Sequence, residues 1–270
     1  MIAEIDWHGG KLTVDFSRGR SLAISLDPAG RHPRFFADEG VKARPLSRGD
    51  FVGDMKRGAS CNAEVFEFSA HSHGTHTECI GHVLPEHQSV IGTVDEAPAL
   101  MRLVTIPQEV LNEGGLIRAS ALGDLAMFDI GALALRTLPN DAEKQWRNYD
   151  DAPIFPVLSR EAMKALCESS LLHLLIDTPS LDHPESEGLP NHVTWWGLYA
   201  RVRPGVPNPA ARTITEMIFV PDEIDDGLYW LDLQLAPIVS DAVPSRPVIY
   251  PVHRLELAQY TAPLDWEPPA

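Results

Sequence analysis

Alternating apolar and polar residues form the commonest pattern along the chain, and this pattern predicts β-strands. Ile5–Trp7 and Leu12–Phe16 alternate on either side of Gly9-Gly10, which is typical of a hairpin turn. Further strands are predicted at Leu22–Leu26, Ala63–Phe68, Leu100–Ile106, Ala132–Leu138, Leu171–Ile176, Thr213–Val220, Leu228–Leu235 and Val248–Val252.

Helical signals are fewer. Ser159 is a favoured N-cap residue, and apolar residues recur at helical spacing behind it, which predicts a helix to Glu168. A second, short helix is predicted at Leu122–Phe128, and the Pro- and Gly-rich segment Asp27–Gly58 is predicted to be a long ordered loop. Together these elements predict one α/β domain over residues 1–270, strand-rich with few helices, whose sheet curls on itself.

Composition and charge narrow the classes of function. The chain carries 22 Lys and Arg against 38 Asp and Glu, a formal net charge of −16. Such a surface repels phosphate backbones and anionic lipid, so we expect a small-molecule substrate, with no nucleic acid and no membrane as a partner. Three cysteines without a CxxC pair, no signal peptide and no apolar run of about 20 residues predict a cytoplasmic protein.

Five of the eleven histidines lie between His71 and His87. His76 and Glu78 are two residues apart, so both point to one face if the segment is extended. Gly74 would permit a tight turn that brings His71 back towards His76. Neutral imidazoles beside a carboxylate suit Zn²⁺, Mn²⁺ or Fe²⁺. A solvated loop rich in histidine is the alternative for any single residue, but the whole cluster favours a metal site.

Three neighbours of this cluster are expected to lie outside the metal site. His73 should point away from the face that His71 and His76 share. His87 follows Pro85 and Glu86 and is expected on the surface, whereas Cys79 is expected in the core.

The segment His71–His82 resembles the signature H-x-G-T-H-x-D-x-P-x-H of the cyclase family of metal-dependent hydrolases, which includes bacterial kynurenine formamidases and isatin hydrolases. Ile176–Asp182 resembles the family's strand-end motif D-T-x-S-x-D. Asn191-His192 resembles its later histidine, and Ile214–Ile218 resembles its late glutamate segment. These motifs follow one another in the family's order.

The sequence departs from the family pattern at three points. It reads H-x-x-G-T-H, one residue longer than usual, so a strict alignment puts Ser72 in the place of the first histidine. A small bulge would restore His71 to that place. Glu78 replaces the usual aspartate, which keeps the carboxylate but moves it by one methylene, and Ile80 stands where the family usually has proline.

The resemblance implies a swivelling β/β/α fold, a homo-oligomer and one or two divalent ions, Zn²⁺ or Mn²⁺. It implies an amidohydrolase of the arylformamidase type, as in tryptophan catabolism, that cleaves a formamide or lactam C–N bond with metal-activated water. It makes His82 the proton shuttle. It assigns the metal ligands to His71, His76, Glu78, His192 and Glu216.

Two alternatives stay open: a metal-dependent cyclase or lactonase that acts on another carbonyl compound, and a metal-binding member without catalysis. Asp177 and Asp182 are expected to hold a turn beside the site. Trp195 and Trp196 would pack in the core or stack on an aromatic substrate. Arg246, between two prolines, would clamp a substrate carboxylate or form a salt bridge.

Overall fold

A computed structural model of the protein describes residues 1–7, 10–94, 98–108, 115–125, 130–151, 155–198 and 206–256. The strands are β1 (Ile2–Trp7), β2 (Gly10–Asp15), β3 (Arg20–Ser21), β4 (Lys42–Pro45), β5 (Ser47–Arg48), β6 (Phe51–Val52), β7 (Glu64–Glu67), β8 (His76–Glu78), β9 (Ala99–Ile106), β10 (Leu116–Ile117), β11 (Ala132–Thr137), β12 (Val157–Leu158), β13 (His173–Ile176), β14 (Thr213–Glu216), β15 (Gly227–Leu235) and β16 (Ala242–Glu256). The α-helices are α1 (Val90–Thr93), α2 (Arg160–Cys167) and α3 (Pro190–Trp195).

The main sheet closes on itself. Its strands follow the order β16-β15-β9-β11-β13-β14-β8, and β8 also pairs with β16, which completes a ring. β9, β11, β13 and β14 run parallel, while β8 is antiparallel to both of its neighbours. The β1–β2 hairpin extends the sheet from the far end of β16. The prediction of a strand-rich α/β protein with a curled sheet is confirmed.

The parallel strands are buried on both faces, which explains their long apolar runs. On β11, Leu133 and Leu135 face one side and pack in the same cluster as the apolar face of α2. Ala132 and Ala134 face the other side, where they belong to a second buried cluster with Leu231 and Ile249. This burial on both faces holds the carboxyl ends of β13 and β14 in fixed positions.

The helix predicted after Ser159 is confirmed: α2 spans Arg160–Cys167, and the Ser159 hydroxyl accepts a hydrogen bond from the Ala162 N–H at 3.2 Å. The helix predicted at Leu122–Phe128 is not found in its described part. Leu122 ends a 3-10 helix that begins at Ala119, and residues 126–128 lie outside the described residues.

The prediction of a loop at Asp27–Gly58 is partly wrong, because this segment contains β4, β5 and β6. β4 pairs antiparallel with β7, and β5 pairs with β6, so the segment is a two-stranded ribbon for part of its length. Most side chains of β4 and β7 are exposed. The strand predicted at Ala63–Phe68 is confirmed as β7, but its partner β4 has almost no apolar residues, which is why the sequence pattern did not reveal it.

Three predicted strands differ from the structure. Leu22–Leu26 is wrong, since only Ala23 makes a single bridge, with Ile218. The strand predicted at Thr213–Val220 ends at Glu216, because Met217 adopts a left-handed conformation with φ of 53°. β16 extends in both directions beyond the predicted Val248–Val252. The Pro-rich tail from Thr261 lies outside the described residues.

Within these described ranges, each helix is too short or too polar to cross a lipid bilayer.

Candidate metal centre

β8 carries His76 and Glu78 into the middle of the molecule. The strand lies between β14 and β16, with His76 opposite Glu216 on one side and Glu78 opposite Ala242 on the other. The two side chains are two residues apart in an extended strand, so they share one face, as predicted. Both are completely buried.

The turn before β8 brings His71 to the same place. Gly74 has a φ of 70°, and a Cβ atom there would lie 2.5 Å from the Leu26 side chain, so the turn requires glycine. Thr75 then anchors the chain by donating its hydroxyl to the Met217 carbonyl. His71 Nδ1 consequently lies 3.0 Å from Glu78 Oε2. His71, rather than Ser72, faces the cluster, in agreement with the bulge that the sequence suggested.

Glu216 reaches the cluster from the end of β14. Its Oε1 accepts a hydrogen bond from the Leu181 N–H at 3.0 Å, and its Oε2 lies 3.4 Å from His76 Nε2. The left-handed Met217 ends the strand directly after it. Such a conformation costs a non-glycine residue roughly 1 kcal/mol or more, and it turns the chain away just where the carboxylate must point inward.

His192 comes from the short helix α3, whose start is built by Asp182. The Asp182 carboxylate accepts the backbone N–H groups of Asn191 and His192, and it also contacts His192 Nδ1 at 2.7 Å. His192 Nε2 therefore points at the cluster, 3.2 Å from Glu78 Oε1 and 3.4 Å from Glu216 Oε1. The structure thus brings together all five predicted ligand residues.

Each of the three histidines among the predicted ligands is also held at its far ring nitrogen. His71 Nε2 contacts Asp241 Oδ2 at 2.8 Å, His76 Nδ1 contacts the Gly74 carbonyl at 3.1 Å, and His192 Nδ1 contacts Asp182. An acceptor on that side keeps the proton of a neutral imidazole there, so the lone pair of the other nitrogen is directed into the cluster. This is the usual arrangement of histidines that ligate a metal.

The inward atoms fit a divalent cation. His76 Nε2 and both carboxylate oxygens of Glu78 are buried and make no hydrogen bond, although ring nitrogens of His71 and His192 lie within 3.2 Å of the Glu78 oxygens. Buried polar atoms without hydrogen bonds are rare and costly. A set of imidazole nitrogens and carboxylate oxygens at this spacing offers the donors that Zn²⁺ and Mn²⁺ take.

Protons balance the charge of this cluster when no ion is bound. Burial by itself would raise the pKa of Glu78, but the charge of His82 and the contacts from His192 and His71 hold that pKa well below its usual range. For His71, burial opposes the charged form, yet the carboxylates of Asp241 and Glu78 outweigh burial and raise its pKa to about 10. A cation that binds His71 Nδ1 would therefore compete with a proton there.

His82 lies at the outer side of the cluster. It belongs to a short 3-10 helix, Ile80–Val83, and its side chain is 25% exposed. Its ring stacks on that of His71 with centroids 4.2 Å apart, and its Nε2 lies 3.9 Å from Glu78 Oε2. His82 thus contacts both the buried carboxylate and solvent, as a group that exchanges protons must.

Two residues of the site were not predicted as contacts of the histidines. Asp241 lies beside His71 although 170 residues separate them, and no motif surrounds it. Asp182 was expected to hold a turn beside the site, without a named histidine partner; it binds the start of α3, and it also orients His192. Asp177, in contrast, links β11 to the buried Lys144. Its carboxylate accepts a hydrogen bond from the Thr137 N–H and forms an ion pair with Lys144 Nζ at 2.7 Å.

The remaining candidates lie outside the cluster. His73 contacts the Glu39 carbonyl at 2.9 Å, and His87 is exposed. Cys79 is buried beside Val90 and Val243, as expected. Arg246 is exposed and donates to the Gln234 side chain at 3.3 Å.

The two tryptophans after His192 are core residues. Trp195 and Trp196 are at most 1% exposed, and their indole N–H groups donate to the backbone carbonyls of Thr213 and Arg212. A ring buried to this extent has no free face for a substrate. Their packing instead fixes α3, and with it His192, against the start of β14.

Solved structures share this fold. Isatin hydrolase A from Ralstonia solanacearum is 17% identical with a TM-score of 0.63, covering 86% of this chain and 91% of its own. A predicted metal-dependent hydrolase from Bacillus stearothermophilus is 15% identical with a TM-score of 0.56, covering 86% and 98%. A potential metal-dependent hydrolase with cyclase activity is 14% identical with a TM-score of 0.60, covering 86% and 97%. The predicted fold class is confirmed.

No curated protein matches the chain by sequence. The family model named Cyclase matches residues 11–183, more than half of the 270 residues, and this match covers β8, the histidine cluster and Asp182. The family suggested by the motifs is thereby confirmed: the chain belongs to the Cyclase family.

Proposed function

We propose that this protein is a metal-dependent hydrolase that cleaves the C–N bond of a small formamide or lactam. The proposal rests on one observation: His76 and Glu78 direct buried polar atoms that make no hydrogen bond into one cluster. The shared fold with metal-dependent hydrolases, and with isatin hydrolase among them, supports it. Isatin is a cyclic amide, so its hydrolysis is a reaction of the same class.

His71, His76, Glu78, His192 and Glu216 would hold one or two divalent ions, Zn²⁺ or Mn²⁺. The Glu78 carboxylate is central to this assignment, because its two oxygens face different histidines, Oε1 towards His192 and Oε2 towards His71. When bound, such an ion lowers the pKa of water from 15.7 to about 7 and polarises a carbonyl oxygen.

The protein's own contribution is binding and proton transfer. The buried ligand residues keep bulk water away from the inner side of the centre, since their side chains are at most 5% exposed apart from His71. His82 stands on the open side, within 3.9 Å of Glu78, where it would take the proton that the attacking water loses and deliver it to the leaving nitrogen. Cleavage of the C–N bond needs that proton, because the deprotonated amine nitrogen is a poor leaving group, whereas the protonated nitrogen leaves as a neutral amine.

The test is turnover by the full chain, stripped of metal with a chelator and then reloaded with Zn²⁺ or Mn²⁺. N-formylkynurenine, isatin and a panel of lactones and cyclic imides are the substrates. We expect hydrolysis of a formamide or lactam that the chelator abolishes and the ion restores. Turnover of lactones alone would point to the lactonase alternative, and an occupied metal site without any turnover would point to a metal-binding protein without catalysis.

A further inference from the structure

Asp241 occupies a fixed position at the mouth of the centre. It directly precedes β16, whose first residues pair with β8, and its carbonyl accepts the Cys79 N–H at 3.0 Å. Gly81 leaves room for it, since a Cβ at Gly81 would lie 3.0 Å from Asp241 Cβ and 2.5 Å from the Gln88 carbonyl oxygen. The backbone therefore places this carboxylate close beneath the turn that carries His82.

One oxygen of this carboxylate faces two histidines. Asp241 Oδ2 lies 2.8 Å from His71 Nε2 and 3.7 Å from His82 Nδ1. The other oxygen accepts the Ser240 hydroxyl at 3.2 Å. Since the rings of His71 and His82 stack at an interplanar angle of 28°, a single carboxylate lies at the outer edges of both.

We propose that Asp241 is a positioning residue that acts through His71 and His82, in a role that rests on the proposed function. By accepting the His71 Nε2 proton, it keeps the lone pair of Nδ1 directed at the centre. By lying at Nδ1 of His82, it keeps the Nε2 of that ring turned towards Glu78. The same carboxylate thus orients one metal ligand and the proton-transfer group.

Asp182 supplies the precedent within the same molecule. Its carboxylate contacts the far nitrogen of His192 at 2.7 Å, as Asp241 contacts that of His71 at 2.8 Å. Loss of such a carboxylate typically lowers metal affinity by about 10- to 100-fold. Asp241 differs from Asp182 in lying partly in solvent, with 29% of its side chain exposed, and in facing a second imidazole.

The test uses the full chain with Asp241→Asn, which keeps the shape of the side chain but removes its charge. Asp232→Asn is the matched control, because Asp232 is also half-buried and accepts a neutral side-chain hydrogen bond from Gln234, away from the centre. Zn²⁺ affinity is measured by competition with a chromogenic chelator, and the number of ions by elemental analysis. The ¹⁵N shifts of the His71 ring in the zinc-loaded protein report which nitrogen holds the proton.

We expect Asp241→Asn to bind the same number of ions about 10- to 100-fold more weakly than the wild type. The ¹⁵N shifts of its His71 ring should no longer show the single protonated nitrogen of the wild type. Asp232→Asn should match the wild type in both measurements. Unchanged affinity and an unchanged ring pattern, with only a lower melting temperature, would overturn the inference. Loss of one ion with the other unaffected would also overturn it, since Asp241 would then be a ligand itself. A wild-type protein that takes up no Zn²⁺ would overturn the proposed function and this inference with it, whereas a metal-binding protein without turnover would leave the role at His71 standing.

Discussion

The centre has two halves that differ in burial. In the inner half, side chains are at most 5% exposed; in the outer half, they are 25% to 30% exposed. The inner half consists of His76, Glu78, His192 and Glu216, and the outer half of His71, His82 and Asp241.

The two halves are also built differently. β8 and β14 place three inner residues by strand pairing, and α3 places the fourth through backbone contacts to Asp182. The outer residues lie outside the strands, His82 on a 3-10 helix, and all three contact one another. Rigid, dry positions suit the binding of a cation, and partly wet ones suit exchange of protons with solvent. We therefore expect substitutions in the two halves to have different signatures.

The largest effect is expected from removing an inner ligand. His76→Ala should lower the metal content to the background of the buffer and abolish turnover, because the remaining donors cannot replace a buried imidazole nitrogen. Elemental analysis after equal exposure to Zn²⁺ and Mn²⁺ measures it. His87→Ala, which removes an exposed histidine of the same segment, is the control and should retain the metal. Full metal content in His76→Ala would place the ion elsewhere.

An outer substitution should separate chemistry from binding. His82→Gln is expected to retain the ions of the wild type while kcat falls by about 10²- to 10⁴-fold, the usual contribution of a general acid–base. Metal content and kcat are measured on the same preparation. If kcat stays at the wild-type value, His82 transfers no proton; if the ions are lost as well, it is a ligand and the division between the halves fails.

The smallest effect concerns the stability of the metal-free protein. Because the pKa of His71 is raised to about 10 from an ordinary value of 6.5, its proton stabilises the folded state fully below about pH 6.5. This contribution is lost as the pH rises through about 10. In chelator, the urea midpoint of the wild type should exceed that of His71→Gln at pH 6, and the difference should shrink towards pH 10. A constant difference would contradict the raised pKa.

The sequence predicted the inner half of the site more completely than the outer half. His76 and Glu78 are two residues apart, and an extended chain puts them on one face whatever the rest of the fold does. His192 and Glu216 were found only through family motifs, because no local pattern connects them to β8. Similarly, the buried parallel strands and the alternating β7 were predicted from their apolar residues, whereas the mostly exposed β4 was not.

In the outer half, the turn at Gly74 predicted the place of His71, but no local pattern predicted Asp241. Asp241 meets His71 only because β16 closes the ring beside β8, and strand order is a property of the whole chain. The first part of β16 was missed because Pro244 and Pro247 interrupt its sequence, although both are paired within the strand. The end of β14 was missed because Met217 is not a residue that usually adopts a left-handed conformation.

The closure of the ring has a consequence for how the chain folds. β8 and β14 meet through Thr77 and Thr215, whose buried hydroxyls lie 2.8 Å apart although 138 residues separate them. Joining such distant segments costs loop entropy before the contacts form. A cation held by His76 on one strand and Glu216 on the other would act as a cross-link over this joint, so binding of the ion would also stabilise the closed ring.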